Sequence, residues 1–179
     1  CDNSKIKICS LPRVDDILTD NNAASRFFTE NPGLSHDKIV LYLPTFRERD
    51  AYIAEQLKVE FRDVDGYRLI ISAHPLFSKI KIENEFSYSG DFSTYDLMKI
   101  ADVIITDYSA CAFEASVLMK PLYFFVPDYD EYSSERGINV DLKKEMPSAT
   151  FENAEELVNA IKLNNYDFDM QALYEGMYM

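Results

Sequence analysis

Ala101-Asp102-Val103-Ile104-Ile105-Thr106-Asp107-Tyr108-Ser109-Ala110 is the stretch on which the reading of this chain turns. Val103 to Thr106 fits a short buried strand, and the pattern changes at once to helical spacing over Tyr108–Met119. A strand that runs straight into a helix opens a strand–helix unit, and such units build parallel sheets. The alternation recurs on both sides. Ile6–Cys9, Lys38–Leu43 and Tyr67–Ala73 read as strands, the first broken by Leu11-Pro12-Arg13 and the second ended by Pro44. Asn21–Asn31 and Arg49–Val64 read as helices, closed by Asn31-Pro32-Gly33 and Asp65-Gly66. Glu85–Ser89 is a candidate short strand, and Ser93–Ala101 a helix with Ser93 as its cap. Leu122–Val126 completes the strands, and Asn153–Leu163 is a helix whose Glu155 and Glu156 suit the positive end of its dipole. The fold expected is α/β, a Rossmann-like doubly wound parallel sheet.

The rest of the composition narrows the function classes. With 179 residues, 47% of them hydrophobic, the chain is one domain's worth of sequence and can bury a core without metal or disulfide staples. Lys and Arg number 18 against 31 Asp and Glu, a net charge of −13, which repels phosphate backbones and argues against general nucleic-acid binding. The longest apolar runs are strand-sized, far short of the roughly 20 residues that span a bilayer, and no polybasic or amphipathic anchor is evident. The three cysteines, Cys1, Cys9 and Cys111, form no metal-binding pattern, and with only His36 and His74 beside them no resident metal is expected. Scattered cysteines fit a reducing compartment. The chain begins at Cys1 with neither an initiator Met nor a signal peptide, so a piece of a longer protein is expected.

In open parallel sheets ligands sit at the carboxyl ends of the strands. The first turn of a helix there offers unpaired backbone N–H groups to an anion, and Thr106 and Ser109 add hydroxyls suited to phosphate oxygens. The alternative is that Asp107 or Ser109 caps the helix. No Gly-rich loop is present, which excludes a P-loop and a dinucleotide fingerprint. His74 follows the Tyr67–Ala73 strand, where it could trade a proton or clamp a phosphate, or hydrogen-bond a neighbouring loop. Thr45, Phe46 and Arg47 follow the Lys38–Leu43 strand, and the forks of Arg47 and Arg49 suit phosphate, or pair with Glu48 and Asp50. Glu135-Arg136-Gly137 reads as a polar loop after the Leu122–Val126 strand, with Gly137 allowing a close backbone approach or an ordinary surface turn. There is no nucleophile elbow, and no carboxylate pair suited to glycoside hydrolysis. The 12 Tyr and 12 Phe fall mostly on core-type positions and read as packing.

Taken in order, Leu11-Pro12-Arg13-Val14-Asp15, Tyr42-Leu43-Pro44-Thr45-Phe46-Arg47, His74-Pro75, Ala101 to Ser109, Lys120-Pro121-Leu122-Tyr123-Phe124, Tyr129 to Pro147 and Glu155-Glu156-Leu157 resemble the CDP-glycerol:poly(glycerophosphate) glycerophosphotransferases, the teichoic-acid primases and polymerases. The resemblance covers about Ser10 to Leu163. It departs at Ala110, where relatives often carry a second Ser, and at Phe46, where Trp is common.

That resemblance implies the C-terminal half of a GT-B enzyme: residues 1–164 a donor-binding Rossmann-like domain, residues 165–179 a tail. An N-terminal half, carrying acceptor and a further catalytic histidine, would lie outside this sequence. The implied reaction moves glycerol phosphate, or a similar polyol phosphate, from a CDP-linked donor to a lipid-linked polymer acceptor. His74 is the implied catalytic residue. Thr106, Asp107, Tyr108, Ser109 and Ala110 would lie at the donor pyrophosphate, with Thr45, Arg47, Arg136 and Gly137 facing the same cleft. No cofactor is implied; magnesium carried by the nucleotide stays open. The parent would be cytoplasmic, peripheral at the cytoplasmic face of a bacterial membrane. Two other readings are kept: a GT-B transferase of a nucleotide sugar for capsule or surface polysaccharide, and a nucleotide-binding module inactive alone.

Overall fold

A computed structural model describes residues 12–19, 22–45, 50–72 and 92–164. The expected strands Ile6–Cys9 and Glu85–Ser89, the residues Cys1, Cys9, Phe46, Arg47, Arg49 and His74, and the segment 165–179 lie outside the described residues. Five strands form one sheet in the order β2-β1-β3-β4-β5, every neighbouring pair parallel. They are β1 (Lys38–Leu43), β2 (Tyr67–Ile71), β3 (Val103–Thr106), β4 (Leu122–Phe125) and β5 (Thr150–Phe151). The helices are α1 (Pro12–Leu18), α2 (Ala23–Glu30), α3 (Asp50–Phe61), α4 (Thr94–Ile100), α5 (Cys111–Ser116), α6 (Tyr129–Arg136), α7 (Leu142–Glu145) and α8 (Ala154–Lys162).

Both faces of the sheet are covered, which is why its strands read as unbroken apolar runs. Alternate residues divide between two cores. Ile39, Leu41 and Leu43 of β1, Ile104 of β3 and Phe124 of β4 meet Phe27 of α2, Met98 of α4 and Ala112 of α5 on one face. Val40 and Tyr42, Ile105, and Tyr123 meet Leu57 of α3 and Leu157 of α8 on the other. Each such fully buried large side chain contributes about 1.5–3 kcal/mol relative to exposure.

The amino end of the sheet is closed by polar side chains. Asp102 exchanges two bonds with Ile39, its own N–H donating to the Ile39 carbonyl at 2.8 Å and its Oδ2 accepting from the Ile39 N–H at 2.8 Å. Lys120, just before β4, donates from Nζ to the carbonyls of Met98 (3.2 Å), Lys99 and Ala101 (2.7 Å), which end α4. Burial pushes the Lys120 amine below its ordinary value, and Asp102 pulls it part of the way back. Ser93 caps α4 as expected, and its side chain and that of Asp96 complete a reciprocal capping box.

Two local expectations change, and α1 and β5 were not anticipated. The strand that Leu11-Pro12-Arg13 is expected to break lies outside the described residues, and Pro12 opens the unanticipated α1, where a missing N–H costs nothing. The helix expected over Tyr108–Met119 is only Cys111–Ser116. Beyond it the Leu118 and Met119 amides bond three residues back, and Met119 takes a left-handed φ of 51°. The polar loop around Arg136 is the end of helix α6, stopped by Gly137 at φ 75°. The short edge strand β5 was not anticipated; its two residues are too few to show a period.

Candidate functional site

The chain lays down β1, steps outward to β2, then returns past β1 to β3 and continues to β4 and β5 in the other direction. The switch point therefore lies between β1 and β3, and the crevice outside their carboxyl ends is where this topology places a ligand. The residues emerging there are Pro44-Thr45 and Asp107-Tyr108-Ser109.

The two exits are joined by side chains. The Thr106 hydroxyl, fully buried, donates to the Leu43 carbonyl at 2.8 Å. The Asp107 carboxylate accepts the Thr45 N–H on both oxygens at 3.0 Å and the Thr45 hydroxyl on Oδ1 at 2.5 Å. Asp107 is 1% exposed. Its carboxylate is turned to the exit of β1. The Thr106 hydroxyl is directed to the Leu43 carbonyl.

Ser109 follows. Its Oγ accepts the Cys111 N–H at 3.2 Å, its carbonyl accepts that of Ala112 at 3.1 Å, and the Ala110 carbonyl accepts that of Phe113 at 3.1 Å. The amides of Cys111, Ala112 and Phe113, the first of α5, are thus bonded within the turn. Accepting a bond leaves the Ser109 hydroxyl its proton to donate.

Beside this turn lies an open cleft, lined on one side by Asp107, Tyr108, Ser109 and Ala110 and on the other by Gly137, Ile138, Asn139 and Val140. Phe113, Phe124, Leu142 and Met146 make its floor apolar. Tyr132 closes one end, its ring stacked on Tyr108 at 3.8 Å and 10°. The Tyr108 hydroxyl donates to Asp128 at 3.2 Å, and the Arg136 guanidinium lies 5.9 Å from the Tyr132 ring. The segment opposite the turn is held by Tyr129, whose hydroxyl donates to Asp141 at 2.6 Å. Asp141 in turn accepts the Lys144 N–H at 3.2 Å and caps α7. Burial, with the bond to Asp141, raises Tyr129 to about 12, and the same bond lowers Asp141.

Asp107, Tyr108, Ser109, Ala110 and Gly137 are therefore brought together around one cleft. Thr45 and Thr106 stand behind it, and Arg136 sits over the outer tyrosine. Arg47 and His74 lie outside the described residues. Tyr132, Phe113 and Asn139 were missed. Tyr129 and Tyr132 are three residues apart and Arg136 four further on, the spacing of one helical face, and that signal was hidden by reading the segment as loop. The Tyr108–Tyr132 stack is itself packing, placed at the edge of the cleft. Among the described residues no group of three His, Cys, Asp or Glu is placed to hold a metal ion, and no helix is long and apolar enough to cross a membrane.

Comparison with known proteins agrees with this layout. The sequence profile described as CDP-Glycerol:Poly(glycerophosphate) glycerophosphotransferase matches residues 1–177, further than the Ser10–Leu163 span carried by the motifs. The chain belongs to this family. It is 31% identical over 176 residues to the teichoic acid poly(ribitol-phosphate) polymerase of Bacillus spizizenii, covering 89% of this chain and 28% of that protein. It is 31% identical over 171 residues to the teichoic acid glycerol-phosphate primase of Bacillus subtilis, covering 90% and 43%. Among solved structures, a variant of the wall teichoic acid polymerase TagF soaked with CDPG superposes with a TM-score of 0.72 at 25% identity, over 98% of this chain and 47% of that one. The Staphylococcus aureus MnaA–UDP structure, at 16% identity and a TM-score of 0.53 over 89% of this chain and 43% of that one, shares the fold alone. The glycerophosphotransferase-family fold here is the expected Rossmann-like α/β sheet, one half of a GT-B architecture. The chain spans less than half the length of these relatives.

Proposed function

We propose that this chain is the donor-binding half of a transferase that moves glycerol phosphate, or a similar polyol phosphate, from a CDP-linked donor to a surface-polymer acceptor. The observation that carries the reading is the cleft at the carboxyl ends of β3 and β4, beside the switch point, in a member of the glycerophosphotransferase family. Relatives named for both glycerol phosphate and ribitol phosphate support a polyol phosphate as the transferred group. Residues 1–164 would form the donor domain and 165–179 a tail. The parent would work at the cytoplasmic face of a bacterial membrane on a lipid-linked polymer, with acceptor held by a second half.

In the reaction, an acceptor hydroxyl oxygen attacks the donor β-phosphorus. The new P–O bond forms as the bond to the bridging oxygen breaks, and CMP leaves with that oxygen. Catalysis of this kind is positioning and charge neutralisation. The Ser109 hydroxyl and the amides of Ser109 and Ala110 would bind pyrophosphate oxygen, with Tyr108 and Gly137 shaping the cleft around it. Arg47 and Arg136 would supply positive charge. His74 would donate to the phosphate oxygen on which charge develops, and the acceptor proton would pass to the second half.

Calorimetric titration of the chain with CDP-glycerol, CDP, CMP and UDP-glucose tests the reading. Cytidine-selective binding that is lost in Ser109→Ala and His74→Ala is expected. Preference for UDP-glucose would instead make this a nucleotide-sugar transferase half. Absence of binding to all four would sink the claim that this half alone holds the donor.

A further inference from the structure

We propose that Asp107 is a positioning residue: its buried carboxylate ties the exit of β1 to the exit of β3, so that the two lips of the switch-point crevice keep one geometry. Only the identity of what the crevice holds rests on the donor-binding reading above.

The parallel ladder between these strands ends at the pair Leu43 and Thr106. The next residue of β1 is Pro44, which has no N–H and cannot extend it. Side chains continue the connection instead. Thr106 reaches back to the Leu43 carbonyl, and Asp107 reaches across to the Thr45 N–H and hydroxyl. A carboxylate is costly to bury unless its oxygens are bonded, and Asp107, at 1% exposure, accepts from Thr45 on both. Its charge is also the wrong sign for the pyrophosphate of any nucleotide donor. With its carboxylate bonded to Thr45, it holds the base of the turn Asp107–Ala110 that lines one side of the cleft. Thr45 supplies both a main-chain and a hydroxyl donor to one carboxylate, which Val, of the same shape, would not.

The test uses the 179-residue chain, with Thr45→Val, Thr45→Ser and Asp107→Asn and the double variant Thr45→Val/Asp107→Asn. Amide resonances are recorded without ligand, and CDP-glycerol affinity is titrated separately. In Thr45→Val the amides of residues 108–112 should shift although they are remote in sequence, and affinity should fall about tenfold, the size of a lost hydrogen bond to a charged group. Thr45→Ser should restore both. Asp107→Asn should reproduce the Thr45→Val shifts, and the double variant should add little to either single change, as coupled partners do. The ligand-free shifts separate this role from a direct Thr45 contact with donor, which would leave the empty turn unmoved. Unmoved amides in Thr45→Val, or fully additive effects, would overturn the proposal whatever the ligand does. If the amides respond but the wild-type chain binds no CDP-glycerol, the coupling stands and the donor-binding reading falls.

Discussion

Strand β3 carries an aspartate at each end, and the two do the same thing under different conditions. Asp102, before the strand, accepts the Ile39 N–H where β1 begins. Asp107, after it, accepts the Thr45 N–H just past the end of β1. Each adds a side-chain rung to the β1–β3 ladder. Asp102 is exposed, so water solvates the rest of its carboxylate. Asp107 is sealed, and the Thr45 hydroxyl stands where water would be. At the amino end the aspartate that closes the sheet is exposed, while at the carboxyl end, beside the cleft, it is buried. Rigidity is concentrated where a ligand would need fixed donors.

The largest expected effect breaks this comparison directly. Asp107→Ala strips the acceptor from a part-buried N–H and hydroxyl and should cost about 2–4 kcal/mol, since orphaned polar groups bear their full desolvation cost. Asp102→Ala should cost less, about 1 kcal/mol, because the exposed Asp102 carboxylate already divides its bonding with solvent and only one donor loses its acceptor. Urea unfolding midpoints of the two variants decide it. Equal losses would mean that the two ends are energetically alike.

Next in size is Lys120→Met, which keeps most of the stem and removes the ammonium that satisfies the last carbonyls of α4. A loss of about 1–2 kcal/mol in unfolding free energy is expected, with CDP-glycerol affinity unchanged, because the amine serves the amino end of the sheet. A large drop in affinity at unchanged stability would erase the division of labour between the two ends.

Much of this was legible in the sequence at one end of the molecule and little at the other. Lys38–Leu43, Val103–Thr106 and Leu122–Phe125 were readable as strands because burial on both faces forces continuous apolar runs. The turn Asp107–Ala110 was readable as a candidate because a strand gives way to a helix there, and it lines the cleft. What Asp107 does was not readable, since its partner Thr45 is 62 residues away and only the strand order brings them together. The opposite cleft wall was hidden for another reason. Helix α6 is polar along almost its whole length, with Tyr129 its buried residue, so no apolar stripe announces it. Its contribution comes from stacking and a tyrosine–aspartate bond, and the only trace is the i, i+3, i+7 spacing of Tyr129, Tyr132 and Arg136 within a polar segment.

A smaller effect is expected at that wall. Tyr129→Phe deletes the hydroxyl bonded to Asp141 and should loosen the segment Gly137–Val140 without unfolding the sheet. The pH dependence identifies the bond. Tyr129 in the folded chain is raised from 10.0 to about 12. Its contribution is therefore complete below pH 10 and lost as pH rises toward 12. Asp141 is lowered from 3.8, so its contribution is present above that value and lost as pH falls through the folded value. Thermal midpoints of the wild type should decline at both extremes, and those of Tyr129→Phe should start lower and decline less. Parallel curves for the two proteins would show that the bond does not hold the wall.

The smallest change in stability is expected from Tyr132→Leu. Tyr132 is only part-buried, and its stack on Tyr108 at 3.8 Å is worth about 0.5–1.5 kcal/mol beyond area; leucine would recover part of the contact. Its effect on ligand should be disproportionate, because the ring closes one end of the cleft and lies beside the Arg136 guanidinium. Weaker CDP-glycerol binding with a nearly unchanged unfolding midpoint would place the outer wall among the parts that shape the site rather than the fold. That is the reverse of Lys120→Met, and the pair together sharpen the contrast between the ends. Unchanged affinity would confine the ligand to the Asp107–Ala110 lip, leaving the aromatic column as packing between α6 and the turn.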